Sequence, residues 1–144
     1  MFKREVRVLG LTYRTYGNYG FILGVVFRGR LWLDGILYLR LRDRRDALDE
    51  LISMLDRSSH KGQIRVIAID SSLYHTLGLC GVEALYTKFK LPIVVFNGVE
   101  GVVAIGVSDV EDFLKVAASN GKVEALRIAS VIADRLLELL TFKS

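Results

Sequence analysis

Only a narrow set of side chains in this sequence can do chemistry. Its 144 residues include two histidines and one cysteine, so few groups titrate near neutral pH. Any metal would have to rest on carboxylates, whose oxygens suit Mg²⁺. Asp70 closes the short Val/Ile run Arg65–Ile69. Asp34 stands before Gly35 in an otherwise apolar stretch, and Asp134 and Glu138 lie one helical turn apart near the end. His75 could act as a base near Asp70, with Ser71, Ser72 and Tyr74 close in sequence. No Gly-x-Ser-x-Gly elbow accompanies them, so a hydrolase triad has no support. Each carboxylate also has a plainer role open to it. Asp70 could cap the turn that follows it, Asp34 could hold a turn with Gly35, and Asp134 and Glu138 could belong to a solvated stripe.

The second chemical resource is cationic. Residues 1–65 carry 13 Lys and Arg against 7 Asp and Glu, while residues 66–144 carry 7 against 9; the net charge is +4. Arg28, Arg30, Arg40, Arg42, Arg44 and Arg45 make the first half arginine-rich, and clustered guanidinium groups suit bidentate phosphate binding. The competing reading is a solvated face on which Asp43, Asp46 and Asp49 pair with these arginines. Tyr13, Tyr16 and Tyr19 beside Arg14 offer stacking faces next to a cation, as single-stranded nucleic-acid sites do; they also suit a packed loop. Gly98–Gly101 and Gly106 form neither a dinucleotide fingerprint nor a phosphate loop.

These residues need a scaffold, and composition restricts which. The length fits one domain. With 51% hydrophobic residues and a small net charge, the chain is not disordered. Cys80 has no partner, which excludes a disulfide framework and cysteine-built zinc sites; it is expected as a small buried residue. No apolar run reaches the roughly 20 residues of a membrane span. The opening Phe2-Lys3-Arg4-Glu5 lacks an apolar signal core, so a cytoplasmic protein is expected.

Periodicity supplies the elements. Glu5–Leu11 alternates as a strand, and Tyr13–Gly20 reads as a turn region. Tyr19–Phe27 is a buried strand. Arg28-Gly29-Arg30 is a tight hairpin, and Leu31–Leu41 is a third strand, giving an antiparallel meander. Apolar residues then recur at helical spacing from Arg44 to Arg57, with Gly62 as the stop. Arg65–Ile69 is a parallel-type strand, Ser71–Gly78 is turn-like, and Gly81–Lys90 is a helix. Pro92–Phe96 is a strand, Asn97–Gly101 a turn and Val102–Val107 a sixth strand. Ser108, with Glu111 three residues on, has capping-box spacing for a helix to Ser119 that stops at Asn120-Gly121. A last helix runs from Glu124 to about Leu140.

The order β-β-β-α-β-α-β-β-α-α implies an α/β fold whose mixed sheet is covered by helices. The RNase H-like fold has this order, though a fold alone does not establish activity. The last helix is apolar over an unusually wide arc. That arc could pack on the sheet and on a second copy, so a homodimer is expected beside the alternative of burial within the chain.

Several stretches together resemble an archaeal family known as the "domain of unknown function ninety-nine" proteins. They are Arg7-Val8-Leu9-Gly10-Leu11, Gly24-Val25-Val26-Phe27-Arg28-Gly29, Trp32-Leu33-Asp34-Gly35, Gly62–Asp70, Leu91–Val95, Gly106-Val107-Ser108, and Glu124–Ala129 with Ile132-Ala133. That family is similar to endonuclease V and is placed in the RNase H-like fold. The resemblance covers most of the chain in one order.

The resemblance implies a metal-dependent nuclease site, and the departures put that site in doubt. Two-metal cleavage needs carboxylates holding divalent ions about 4 Å apart. The match places an acidic ligand at Asp70. The family's paired aspartates after the first strand are replaced by Thr12 and Tyr13, followed by Arg14, which would repel an ion. Asp34 and Asp134 are the remaining candidates to join Asp70 as metal ligands. The family's long segment after the Pro92 strand is also missing, so the chain looks like a shortened, diverged member. The expectation is a catalytically impaired protein that needs no cofactor and binds nucleic acid through Tyr13, Arg14, Arg28, Arg30, Arg42 and Arg44. One alternative is a residual Mg²⁺- or Mn²⁺-dependent endonuclease using Asp70 with Asp34 or with a C-terminal carboxylate. Another is an interaction module built on the last helix. No membrane partner is expected.

Overall fold

The computed structural model describes residues 2–97, 102–119 and 122–142. Three ten-residue strands come first: β1 (Arg7–Tyr16), β2 (Tyr19–Arg28) and β3 (Trp32–Leu41). The β-branched, leucine and aromatic content of β1 and β2 suits strands covered on both faces, whereas β3 is largely exposed. A 3-10 turn (Arg44–Asp46) leads into helix α1 (Ala47–Arg57). Strand β4 (Val66–Asp70), helix α2 (Ser71–Phe89), strand β5 (Ile93–Phe96) and strand β6 (Val102–Ile105) follow. Helix α3 (Val110–Ala117), the short strands β7 (Ala118–Ser119) and β8 (Lys122–Val123), and helix α4 (Glu124–Phe142) complete the order.

The main sheet has the order β3-β2-β1-β4-β5-β6. Strands β1, β2 and β3 are antiparallel, β4 and β5 run parallel to β1, and β6 returns antiparallel. The expected α/β class with a mixed, helix-covered sheet is what the chain adopts. The central strands split by parity, as a pleat requires. Leu9, Leu11 and Tyr13 join α1 and α2 in one core, while Val8 joins α3 and α4 in the other. Gly10 lets α4 descend onto β1, because a Cβ there would stand 2.6 Å from the backbone carbonyl of Ala125. Beyond that crossing, Phe21 and Leu23 pack under Ala133, Leu136 and Leu140 of α4.

Several expectations are corrected. Strand β1 runs on to Tyr16 rather than ending at Leu11, because β2 pairs with it along its whole length. Ser71–Gly78 is helical, not a turn: α2 starts directly after Asp70 and is kinked at Gly78, where φ is +71°. Helix α1 stops at Ser58, whose backbone is extended; Gly62 does not end it. Asp109, not Ser108, caps α3 by accepting from the Asp112 amide, and α3 ends at Ala117. Cys80 is exposed, because Gly81, Val82 and Leu85 form the inward face of α2. The turn expected at Asn97–Gly101 falls mostly on residues 98–101, and the stop at Asn120-Gly121 falls on 120–121; both lie outside the described residues. Among the described residues no helix is long and apolar enough to cross a membrane.

Candidate functional site

Parallel pairing of β1 with β4 sets Leu11 beside Ile69, so Thr12, midway along β1, meets Asp70 at the carboxyl end of β4. Open α/β sheets bind ligands at such strand ends. Asp70 is the N-cap of α2 and accepts from the Leu73 amide at 3.1 Å. The same oxygen, Oδ1, accepts from Ser72 Oγ at 2.6 Å, and Oδ2 accepts from Thr12 Oγ1 at 2.5 Å. Ser72 Oγ in turn accepts from the Tyr13 amide at 3.0 Å. Both carboxylate oxygens are therefore engaged by neutral donors, and the capping role foreseen for Asp70 is present.

Arg14 closes the site. It follows Thr12 on the same face of β1, toward α4. Its Nη1 donates to Thr12 Oγ1 at 2.6 Å and to the Tyr13 carbonyl at 2.9 Å. Its Nη2 donates to Ser130 Oγ at 2.9 Å and its Nε to Asp134 Oδ1 at 2.9 Å. The guanidinium thus stands between the Asp70 network and Asp134, while Asp134 itself stays 59% exposed. A cleft of about 380 Å³ opens beside it, lined by Asp70, Asp134, Ser130, Lys122 and Arg127 among others. Arg127 is held by Glu124 in a bidentate pair, with both bonds at 2.9 Å. The cleft so presents cations and hydroxyls around two separated carboxylates. That donor set suits phosphate oxygens.

The same arrangement is a poor host for a divalent ion. A cation already occupies the position between the carboxylates, and among the described residues no group of three or more His, Cys, Asp or Glu could hold a metal. The residues do not fit the two-metal site that the resemblance implies.

Asp34 is not part of this site. It accepts from Arg7 Nε at 2.8 Å and Arg28 Nε at 2.7 Å, at the other end of β1. Thr12 lies five positions beyond Arg7, about 16 Å along the strand, so Asp34 cannot join Asp70 as a metal ligand. Burial pushes its carboxyl up, but the hydrogen bonds and charges of Arg28 and Arg7 outweigh that and hold it below the usual carboxylate range. His75 is exposed on α2 beside Tyr74, and the oxygens of Asp70 are taken by other groups. Glu138 pairs with Arg135 near the surface of α4.

The arginine-rich half divides between the two ends of the sheet. Arg28 and Arg30 sit at the end where β1 begins, with Arg28 also 5.3 Å over the Trp32 ring. Arg42 and Arg44 are exposed just past β3, at the end that carries Asp70. There Arg40 lies 4.6 Å over Tyr19, and Tyr19 is 6.0 Å from Tyr16. Tyr13 is corrected as a stacking surface. Its odd position turns it toward α1 and α2, where it is buried over Gly20. That burial raises its hydroxyl pKa despite the opposing charge of Arg44. Local pairing of the arginines holds for Arg45 with Asp43. Sequence reasoning assigned no part in this site to Ser130, Lys122 or Arg127; the polar stripe of α4 carries Arg127 and Ser130 on one face, and Lys122, on β8, has no such signal.

Residues 4–101 match the family described as Endonuclease dU. The UPF0215 protein of Methanosarcina mazei is 33% identical over 133 residues, covering 86% of this chain and 67% of that protein. The UPF0215 protein of Methanosarcina acetivorans is 36% identical over 95 residues, covering 65% of this chain and 48% of its own length. The chain thus spans two thirds of one curated relative and about half of the other. Among solved structures, a protein of unknown function from Archaeoglobus fulgidus superposes with a TM-score of 0.72 at 21% identity, over 91% of this chain and 98% of that one. That likeness extends to the fold.

Proposed function

The chain belongs to the endonuclease dU family, and from that premise we propose that it is a catalytically impaired, RNase H-like nucleic-acid-binding protein. One observation carries the reading. Arg14 bridges Asp134 and Thr12, and Thr12 stands where the endonuclease V-like pattern has an aspartate. A guanidinium there supplies no Lewis acid for cleavage, while Lys122 and Arg127 on the cleft lining offer cations to a backbone phosphate. Arg40 over Tyr19, with Arg42 and Arg44 beyond, extends the surface at the same end with a stacking face beside cations.

Binding of single-stranded DNA and RNA, measured by fluorescence anisotropy across a salt series, tests this reading. Affinity should fall steeply as salt rises, and Tyr19→Ala with Arg42→Gln should weaken it by about tenfold. Absence of binding at low salt would sink the reading. The placement of Asp70 and Asp134 on one cleft favours residual nuclease action as the second reading. A Mn²⁺ cleavage assay decides it: activity that Asp70→Asn abolishes would establish it, and equal activity in both proteins would exclude Asp70.

A third reading, an interaction surface for a second copy, rests on Val131, Leu139 and Phe142, which α4 leaves exposed at 50%, 62% and 90%. Light scattering on Leu139→Glu against the parent chain tests it; a monomer in both cases removes it.

A further inference from the structure

A second cleft, more voluminous than the one beside Asp70 and Asp134, lies away from Arg14, where β1 and β4 begin. It has a volume of about 550 Å³ and is lined by Phe2, Lys3, Arg4, Glu5, Val6, Arg7, Gln63 and Arg65. We propose that this cleft is a separate binding site for phosphate-bearing ligands, nucleotides or the phosphodiester backbone. Its position and residues are distinct from the Arg14 end, and it stands whether or not that end binds nucleic acid.

Charge is the first argument. Four cations face one carboxylate around the cleft, and among the described residues neither Lys3 nor Arg4 makes an ion pair. Arg65 spends its Nη1 hydrogens on the neutral carbonyls of Gly62 and Ile64, so its charge is uncompensated. Arg7 shares a single carboxylate, Asp34, with Arg28; that trio keeps a net positive charge at the cleft wall. Guanidinium groups in this density match phosphate oxygens, and the volume is that of a small-ligand site.

The second argument is rigidity. A basic chain start could be a loose tail, but this one is fastened on several sides. The Phe2 amide donates to Asp112 Oδ2 at 3.0 Å, and the Phe2 ring meets Phe113 edge-on at 5.7 Å. The Val6 amide closes a turn on the Lys3 carbonyl, and the Gly29 amide donates to the Val6 carbonyl at 2.7 Å. Gly29 has a φ of +55°, and a Cβ there would collide with the Arg4 carbonyl oxygen. The wall bearing Lys3 and Arg4 is therefore held against the hairpin that joins β2 to β3. On the other side the Arg65 amide donates to the Arg7 carbonyl at 3.0 Å, fixing the second wall. With both walls fixed at the backbone, only the cationic side chains remain to be ordered when a ligand binds.

The test is a titration of ¹⁵N-labelled protein at low salt with inorganic phosphate, thymidine monophosphate and single-stranded oligothymidylate. The amides of Phe2 and Gln63 should shift. Saturation by the mononucleotide identifies a nucleotide site, and saturation by the oligomer alone identifies a backbone site; both support the proposal. The double variant Arg4→Gln/Arg65→Gln should bind roughly tenfold more weakly and reduce the log–log salt slope for the oligomer by about 1.4. Arg4→Lys/Arg65→Lys should restore most of the binding, which separates charge from folding. No shift with any probe would overturn the proposal. So would oligomer binding that survives Arg4→Gln/Arg65→Gln and is lost in Arg42→Gln/Arg44→Gln, a result that leaves the Arg14-end reading intact.

Discussion

Arg14 on β1 and Asp134 on α4 are 120 residues apart in the chain and joined by an Nε–Oδ1 bond of 2.9 Å. The pair ties the last helix to the carboxyl end of the central strand and leaves the guanidinium between two carboxylates. In the reading proposed here it also decides what the strand end can hold.

Removing that cation and restoring a carboxylate should change ion binding. Thr12→Asp with Arg14→Ala places a second carboxylate beside Asp70 on the neighbouring strand. Calorimetric titration should show Mn²⁺ binding at least about tenfold tighter than in the parent chain, since paired carboxylates are what such ions need. Equal affinity in the two proteins would show that Arg14 is not what excludes the ion.

Asp70 caps α2 and receives two hydroxyls. Asp70→Ala leaves the Leu73 amide and both hydroxyls without their acceptor. The loss should be about 1–3 kcal/mol in urea denaturation. Asp70→Asn keeps an amide oxygen for the cap and should lose less. Equal losses would mean that the cap is not what matters.

The trio Arg7, Asp34 and Arg28 gives a pH signature. The folded carboxyl titrates below its ordinary value, so its contribution to stability is complete above the unfolded carboxylate pKa, about 4. It is lost as pH falls through the lower, folded value. Asp34→Asn should therefore destabilise the protein by about 1 kcal/mol near neutrality and by progressively less in acid. Thermal melts of both proteins down the acid limb check this; a difference that stays constant with pH would contradict it.

Gly10 is set by contact rather than by a turn. Gly10→Ala would push a methyl carbon to 2.6 Å from the Ala125 backbone and force α4 off β1. A destabilisation of about 1–3 kcal/mol is expected, read as a lower denaturation midpoint. Because α4 carries Ser130 and Asp134, the Arg14 bonds should loosen with it, visible as faster exchange of amides near Thr12.

The sequence made local features legible. Strand β2, helix α1 and strand β4 follow directly from hydrophobic periodicity, and Asp70 was recognisable because it ends an apolar run. The misreadings share a physical cause. Tyr13–Tyr16 has turn-like composition, yet pairing with β2 outweighs it. Ser71–Gly78 is polar, yet the Asp70 cap starts a helix there and Gly78 kinks it without ending it. The Arg14 bonds to Ser130 and Asp134 had no sequence signature, because no spacing rule links residues so far apart. Tyr13 reads as part of a turn, which assigns it no face; once β1 extends, odd positions face α1 and α2 and only the even ones reach the site.

One last consequence concerns the outer rim of the sheet. The pairing of β2 with β3 shifts register between Val26 and Phe27, leaving Asp34 as an extra residue between Leu33 and Gly35. Strand β3 is a sheet edge with Trp32, Leu33, Ile36 and Tyr38 exposed, a profile that invites strand-to-strand aggregation. The bulge breaks its regular length, and the charge held there disfavours stacking of an unrelated strand. By the same rules the bulge and the ion trio beside it disfavour growth of this apolar rim into a larger sheet.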